Sequence, residues 1–221
     1  MKYFFANWKE NTTYPEAIAL ASKVKSEAGK ENFSDRTVVI FPPSVFLVSL
    51  SQMLSGSNIL LGVQDVSKFE GGAYTGEISV RMIQPYAKFT LLGHSERRAN
   101  FGETSKDVNQ KISLWATEGL IPLICISSKN PLDELVRPKS NGGVFVVYEP
   151  LEYIGGEKVQ ELSEIVDFSR MVRGKTTARF IYGGSINDQN ATELLKETFL
   201  DGLLIGHSSL DTGKFGRIIS S

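Results

Sequence analysis

The chain has 221 residues, of which 41% are hydrophobic and 22% are charged, so it can fill a sizeable core and is too apolar for intrinsic disorder. Lys and Arg number 24 and Asp and Glu number 25, a net charge of −1 that argues against nucleic acid and anionic membranes as partners. Cys125 is the single cysteine, so no intramolecular disulfide can form. Because no apolar run reaches membrane-spanning length and polar Asn7 comes too early for a signal peptide, we expect a soluble cytoplasmic protein.

Eight short apolar runs, many of them β-branched or aromatic, predict strands along the chain. None of them alternates apolar with polar residues, which is typical of parallel strands that are covered on both faces. The predicted strands are Tyr3–Ala6, Thr37–Phe41, Ile59–Val63, Phe89–Leu92, Ile121–Ile126, Val144–Tyr148, Ala178–Tyr182 and Gly202–Ile205.

Apolar residues recur at helical spacing between several of these runs, which predicts helices that cover the sheet. Pro15 suits a first helical turn, and Thr104 followed by Asp107 fits a capping box with Asp in place of Glu or Gln. The apolar stripes are Ala17, Leu20, Ala21 and Val24; Val108, Ile112 and Trp115; and Leu162, Ile165, Val166 and Ser169.

Strand and helix patterns alternate along the whole chain, and the predicted strand starts lie about 22 to 34 residues apart. Eight equal units in 221 residues would average about 28 residues each, which favours a closed (β/α)₈ barrel over an open doubly wound sheet. No linker or low-complexity tract divides the chain, so residues 1–221 are predicted to form a single domain of the α/β class. The helices of units five and eight should be short, because Asn130–Ser140 contains two prolines and few residues follow Leu210.

Polar residues stand directly after several predicted strands, where parallel barrels form their active sites. One Lys, one His and one Glu at a common mouth, with turns that expose backbone amides, suit acid–base chemistry on a small anion. Taken singly, a Lys or His at a strand end is more often solvated or structural, whereas a carboxylate directly after an apolar run must be paired or desolvated. These residues are Asn7 and Lys9, His94 to Glu96, Glu149, Gly183 to Ser185, and Gly206 to Ser208.

Six segments at these strand ends carry a more specific signal when they are taken together and in order. The chain resembles the triosephosphate isomerase family from end to end, in a compact version, because the hexapeptide around His94 and five other matches follow the family's order. The segments are Asn7-Trp8-Lys9, Gly93-His94-Ser95-Glu96-Arg97-Arg98, Phe101-Gly102-Glu103-Thr104, Tyr148-Glu149-Pro150, Ile154-Gly155-Gly156 and Tyr182-Gly183-Gly184-Ser185.

The resemblance implies a role for each residue of the catalytic set and requires no metal or organic cofactor. Glu149 would be the general base, and His94 the electrophile that polarises the carbonyl. Lys9 would offset negative charge, Asn7 would hydrogen-bond substrate oxygens, and Glu96 would support Lys9. Because His94 can stand at a helix N-terminus, whose positive end disfavours imidazolium, a neutral ring is expected.

The resemblance also implies how the substrate phosphate is held and how the chain associates. Backbone amides of Gly155, Ser185, Gly206 and His207 would bind phosphate, under a lid formed by 150–158. A protruding loop at Gly72–Glu77, with Thr75 at its tip, would dock beside the active site of a second copy and make a homodimer, with a tetramer also open.

The chain departs from the family pattern in three places. The lid lacks the family's tryptophan and threonine, His207 replaces a glycine, and the stretch from Cys125 to Glu149 is short. Two alternatives to triose-phosphate isomerisation therefore stay open. One is a barrel isomerase or aldolase for another small sugar phosphate, and the other is a catalytically impaired paralogue.

Overall fold

A computed structural model describes residues 1–29, 35–127, 143–154, 156 and 159–221, with the backbone alone at 115–118. Eight parallel strands close into a barrel in chain order, and the last strand pairs with the first. The strands are β1 (Lys2–Asn7), β2 (Arg36–Phe41), β3 (Ile59–Val63), β4 (Phe89–Leu92), β5 (Ile121–Ile126), β6 (Phe145–Tyr148), β7 (Arg179–Tyr182) and β8 (Gly202–Ile205).

The predicted strand runs coincide with these strands to within one residue at each end, and the predicted (β/α)₈ barrel is confirmed. Val144 and Ala178 lie just before β6 and β7 rather than inside them, while Lys2 and Asn7 extend β1 and Arg36 extends β2. Strand ends are defined by backbone hydrogen bonds, whereas the predicted ends follow the apolar side chains. The two criteria differ by one residue at these positions.

The continuous apolar runs have a direct structural cause, because both faces of each strand are buried. In β1, Tyr3 and Phe5 point into the barrel and join an inner core, whereas Phe4 and Ala6 pack outward against helices. Five aromatic rings fill much of the barrel interior, and Phe5 and Phe145 meet edge to face with ring centroids 5.3 Å apart. Gly202 closes the barrel at β8, where a Cβ would stand 2.1 Å from the carbonyl oxygen of Tyr3.

Helices surround the barrel and bury the whole of the first predicted stripe, Ala17, Leu20, Ala21 and Val24. In the third stripe Ile165 and Ser169 are buried while Leu162 and Val166 are half-buried, and the side chain of Trp115 in the second lies outside the described residues. Thr104 and Asp107 form the predicted reciprocal cap, since each side chain accepts the other's backbone N–H. Three short 3₁₀ turns cover Ser44–Phe46, Leu151–Tyr153 and His207–Ser209. The described α-helices are α1 (Tyr14–Ala28), α2 (Leu47–Met53), α3 (Val80–Ile83), α4 (Ser95–Phe101), α5 (Ser105–Glu118), α6 (Leu162–Lys175), α7 (Ala191–Lys196) and α8 (Thr212–Ser220).

The helix of unit eight, α8, is short as expected, with nine residues against fifteen in α1. The predicted shortening of unit five falls on residues outside the described ranges. Still shorter helices, which the sequence did not reveal, follow β3 and β7: α3 has four residues and α7 has six. Within the described ranges, the helices are all too short or too polar to cross a lipid bilayer.

Candidate active site

A cavity of about 700 Å³ opens at the carboxyl ends of the strands. It brings together ten of the residues that the sequence analysis placed directly after strands, contributed by β1, β4, β6, β7 and β8 or by the turns that follow them. Glu96 stands one turn away on α4, in contact with Lys9. Gly155 lies outside the described residues. These ten lining residues are Asn7, Lys9, His94, Glu149, Gly183, Gly184, Ser185, Gly206, His207 and Ser208.

Three buried polar side chains meet on one wall of the cavity. His94 Nε2 lies 3.0 Å from Glu149 Oε1 and 3.3 Å from Asn7 Nδ2. The other carboxylate oxygen of Glu149 accepts the backbone N–H of Ser95 at 3.2 Å. Asn7 ends β1, and His94 and Glu149 follow β4 and β6, so closure of the barrel brings side chains that are distant in sequence within hydrogen-bonding distance.

Opposing influences act on the pKa of His94. His94 caps the N-terminus of α4, and its Nδ1 accepts the backbone N–H of Glu96 at 3.2 Å, which favours a neutral ring with its proton on Nε2. Burial also lowers the pKa of His94, but the carboxylates of Glu149 and Glu96 raise it more, so the pKa lies above its usual value. The helix N-terminus was therefore not the decisive influence, because the Glu149 carboxylate touches the ring in this arrangement.

Lys9 is fixed on the same side of the cavity by backbone and side-chain contacts. Its ammonium lies 2.5 Å from Glu96 Oε1, so its charge is already balanced. The backbone of Lys9 has φ 53°, and its N–H is bound by Asn7 Oδ1 and its carbonyl by Gln64 Nε2. The left-handed conformation turns the chain sharply after β1 and directs the Lys9 side chain along the cavity wall, near Gly206.

The opposite wall consists of the turns after β7 and β8, where backbone groups are prominent. The hydroxyls in these turns bond within the protein: Ser185 Oγ donates to the Tyr153 carbonyl at 2.7 Å, and Ser208 Oγ donates to the Ile186 carbonyl at 2.8 Å. The amides of Ser185 and His207 donate to no other group among the described residues. Two backbone donors are therefore free on a wall that also carries exposed His207.

His207 does not occupy a left-handed conformation, since Lys9 is the one non-glycine residue with positive φ among the residues described. A histidine can thus stand at this position without the strain that a replaced glycine would otherwise imply.

The sequence did not reveal a buried ionic cluster that involves α4, the helix capped by His94. Lys111 is only 5% exposed and pairs with Glu103 and with Asp65 Oδ1, the latter at 2.6 Å. Arg97 Nε lies 2.6 Å from Asp65 Oδ2, so the cluster ties the end of β3 to α4 and α5. Lys111 lies beside Val108 and Ile112 on the apolar face of α5, and a charge on that face was the available signal.

Three further polar lining residues were not predicted: Asn187, Gln189 and Lys214. Asn187 and Gln189 belong to the segment between β7 and α7, and Lys214 lies in the first turn of α8. Lys214 reaches the cavity from a helix and does not directly follow a strand, so the pattern of strand-end residues did not indicate it. Among the described residues, no group of three or more His, Cys, Asp or Glu side chains is arranged to hold a metal ion.

The closed parallel barrel, with a polar cavity at the carboxyl ends of its strands and a buried His–Glu pair inside it, defines an enzyme of the TIM-barrel class. The family model described as triosephosphate isomerase matches residues 2–221, so the chain belongs to the triosephosphate isomerase family.

Individual relatives agree with that membership. The triosephosphate isomerase of Dehalococcoides mccartyi strain BAV1 is 37% identical over 236 residues, covering 96% of this chain and 92% of the relative. That of Thermoanaerobacter pseudethanolicus is 33% identical over 242 residues, covering 97% and 96%. The crystal structure of triosephosphate isomerase from Bartonella henselae superposes with a TM-score of 0.85 at 26% identity, covering 98% of this chain and 97% of that one.

Proposed function

We propose that this chain interconverts dihydroxyacetone phosphate and glyceraldehyde 3-phosphate through an enediolate, with Glu149 as the base. The observation that carries the proposal is the buried contact between His94 and Glu149, 3.0 Å apart, at the end of a cavity with free amides on its far wall. Both ends of the chain contribute neighbouring strands to one barrel, which supports treating 1–221 as a single catalytic domain.

Glu149 performs the proton transfer in this proposal. Its carboxylate removes a proton from C1 of dihydroxyacetone phosphate and returns it to C2, so the electron pair of the broken C–H bond passes through the enediolate and the carbonyl moves from C2 to C1. Glu149 is 2% exposed and is held by His94 and the Ser95 amide when no substrate is present. Substrate would displace those two donors and leave a poorly solvated carboxylate facing the carbon acid.

His94 supplies the electrophile. Once substrate separates Glu149 from the ring, the largest influence that raises the pKa of His94 is removed, while the Glu96 amide still occupies Nδ1. The ring then stays neutral and donates its Nε2 proton to the C2 oxygen as negative charge develops there. It takes the hydroxyl proton of the C1 oxygen in return, so the ring ends neutral and the aldehyde forms at C1. Asn7 Nδ2, 3.3 Å from the same nitrogen, supplies a second donor beside that oxygen.

Lys9 and Glu96 support the reaction electrostatically. Lys9 carries a positive charge into the cavity, and Glu96 fixes its position at 2.5 Å. A cation held in advance needs little reorganisation when the enediolate forms, which is the condition under which such a charge stabilises a transition state most.

The substrate phosphate binds the opposite wall. The free amides of Ser185 and His207, together with the turn at Gly206, form an anion site built from backbone dipoles. Gly155 completes this set in the proposal, on the family resemblance alone. No metal or organic cofactor is required, because base, electrophile and phosphate donors are all groups of the protein.

A coupled assay of the purified protein with glyceraldehyde 3-phosphate tests the proposed reaction. Turnover of the triose phosphate, with none of pentose or hexose phosphates, is expected, since a cavity this polar fixes a small substrate by both ends. Turnover of a longer sugar phosphate alone would favour the other barrel isomerase or aldolase, and absence of any turnover in a folded protein would identify an impaired paralogue. The substrate belongs to glycolysis, and the cytoplasm is the compartment we propose for it.

We also propose a homodimer formed through the loop at Gly72–Glu77. This loop is exposed, and Tyr74 stacks on Phe69 with ring centroids 3.7 Å apart, which stiffens its base. Thr75 at its tip would lie beside Asn7 and Lys9 of a second copy. Several large apolar side chains are exposed, among them Val45, Tyr74, Met82 and Phe101, and burying such groups drives association.

Sedimentation at micromolar concentration tests the association. A dimer is expected for the unmodified chain and a weakened one for Thr75→Arg, whereas Thr212→Arg, at the start of α8 and away from the loop, should sediment like the parent. A fully active monomer at that concentration would refute the proposed dimer, and a larger species would indicate a tetramer.

A further inference from the structure

Lys214 is a charged residue of the cavity to which the proposed reaction assigns no task. It lies at the start of α8, on the same side as His207 and Ser185, and it lines the cavity. We infer that Lys214 is a substrate-recruiting residue that attracts the phosphate dianion to the backbone anion site. This inference rests on the proposed function and names a side-chain cation that the turns after β7 and β8 themselves do not contain.

The other charged groups at the cavity leave a net negative charge that a cation would offset. Lys9 is neutralised by Glu96 at 2.5 Å, and Glu149 adds a further negative charge at the cavity floor. Without Lys214, a dianion would approach a net negative mouth on a chain whose overall charge is already −1. Lys214 offsets this negative charge on the side where the phosphate binds.

The ammonium of Lys214 is available for that purpose. It is exposed and makes no ion pair with any residue in the described ranges. Two carboxylates lie close enough to interact with it, but each is already bound: Asp188 accepts from Arg217 Nε at 2.7 Å, and Asp211 accepts the backbone amides of Gly213 and Lys214.

The place of Lys214 within α8 argues against an accidental surface lysine. It is the third residue of the helix, where the positive end of the helix dipole disfavours a cation. Helical stability alone would favour Asp or Glu there, and α1, α4 and α5 each carry an acidic residue in the first turn. A cation retained against that preference, at the edge of an anion site, fits a role in binding.

Recruitment by an exposed charge acts on the encounter with substrate and leaves the chemical steps unchanged. It also depends on ionic strength, because the Debye length falls from about 30 Å at 0.01 M to about 6 Å at 0.3 M salt. The expected signature is therefore a salt-dependent change in kcat/KM, carried by KM and absent from kcat.

The test compares Lys214→Met with Lys214→Arg and with Lys196→Met, a control that removes the same charge from exposed Lys196 at the end of α7. At about 0.01 M ionic strength, Lys214→Met should lower kcat/KM for glyceraldehyde 3-phosphate by about threefold to tenfold. Its kcat should change less than twofold, and its deficit should shrink below twofold at about 0.3 M salt. Lys214→Arg and Lys196→Met should both resemble the parent chain.

A second measurement, binding of inorganic phosphate by titration calorimetry, does not depend on turnover. Lys214→Met should weaken phosphate binding at low salt, whereas Lys196→Met should not. Equal kcat/KM and equal phosphate affinity in the two Met variants at low salt would overturn the inference, as would a loss of kcat in Lys214→Met. Phosphate binding that depends on Lys214 in a parent chain without isomerase activity would support the recruiting role and refute the proposed reaction instead.

Discussion

The two walls of the cavity are built in contrasting ways. On the β1, β4 and β6 side, the working groups are buried side chains, and Asn7, His94 and Glu149 are each no more than 5% exposed. On the β7 and β8 side, the donors are backbone amides, and the nearby side chain of His207 is exposed. In the proposed reaction, the end of the cavity that carries His94 and Glu149 thus depends on residue identity, whereas the end that binds phosphate depends on the path of the backbone.

This contrast predicts how the walls respond to mutation. An isosteric substitution on the first wall should lower activity without unfolding the protein, because the new side chain keeps most of the original contacts. On the second wall, a side-chain exchange should matter less than a change that moves the backbone.

The largest effect is expected for Glu149→Gln. The amide keeps the shape of the carboxylate and can still accept the Ser95 N–H, but it cannot remove a proton. We expect kcat to fall by about 10²–10⁴, with a small change in KM, in a steady-state assay. Glu152→Gln, the same exchange on an exposed residue three positions later, should retain parental activity. A Glu149→Gln chain with more than a tenth of parental kcat would remove Glu149 from the role of base.

A somewhat smaller loss is expected for His94→Gln. The glutamine amide can still donate a hydrogen bond. Its donor is less well positioned than that of an imidazole held by Glu96 and Asn7. Loss of a positioned donor to a developing oxyanion lowers kcat by about 10²–10³. The matched control is His207→Gln on the opposite wall, for which kcat should stay within about twofold of the parent chain. An equal loss of kcat in the two variants would contradict the proposed difference between the two walls.

On the backbone-built wall, Gly184→Ala should disturb binding through the chain itself. A Cβ at Gly184 would stand 2.1 Å from the hydroxyl of Tyr182, whose side chain is fully buried and has no room to retreat. We expect a loss of about 1–3 kcal/mol in the free energy of unfolding, measured in urea, and a raised KM. Gly174→Ala is the control, since its Cβ would meet nothing within 4 Å and a helical Ala is favourable.

The smallest effect is expected for Glu96→Gln, which should shift the pH dependence of kcat/KM. Because the pKa of His94 is raised and a neutral ring is needed, kcat/KM should fall as the pH drops through a value above 6.5. Glu96 contributes to that rise, so removing its charge should shift this acidic limb to lower pH. Exposed Glu152→Gln should leave the limb in place, and an upward or absent shift in Glu96→Gln would contradict the assigned cause.

The same contrast explains what the sequence could predict. The barrel followed from its apolar runs because strands buried on both faces leave a continuous signal, and Glu149 was conspicuous because a carboxylate directly follows such a run. The ionic cluster of Lys111, Asp65 and Arg97 was missed because its members are distant in the chain and meet only after closure. Lys214 escaped for a related reason, since a helix and not a strand end carries it to the cavity.

The pKa of His94 shows a further limit to what could be predicted from the sequence. The sequence correctly predicted a helix N-terminus at this residue, but the contact with Glu149 depends on distances that spacing does not encode. A carboxylate in direct contact outweighs a partial charge at a helix end, so the direction of the pKa shift required the folded geometry.

The left-handed backbone of Lys9 has a consequence for the evolution of this chain. A side chain with φ 53° costs about 1–2 kcal/mol relative to glycine, and the bonds from Asn7 and Gln64 hold the residue in that state. Selection for thermal stability alone would replace Lys9 with glycine, and the cavity would lose one of its lysines. The left-handed lysine therefore lowers the free energy of unfolding. Variants selected only for heat resistance would tend to lose a residue that supports turnover in the proposed reaction.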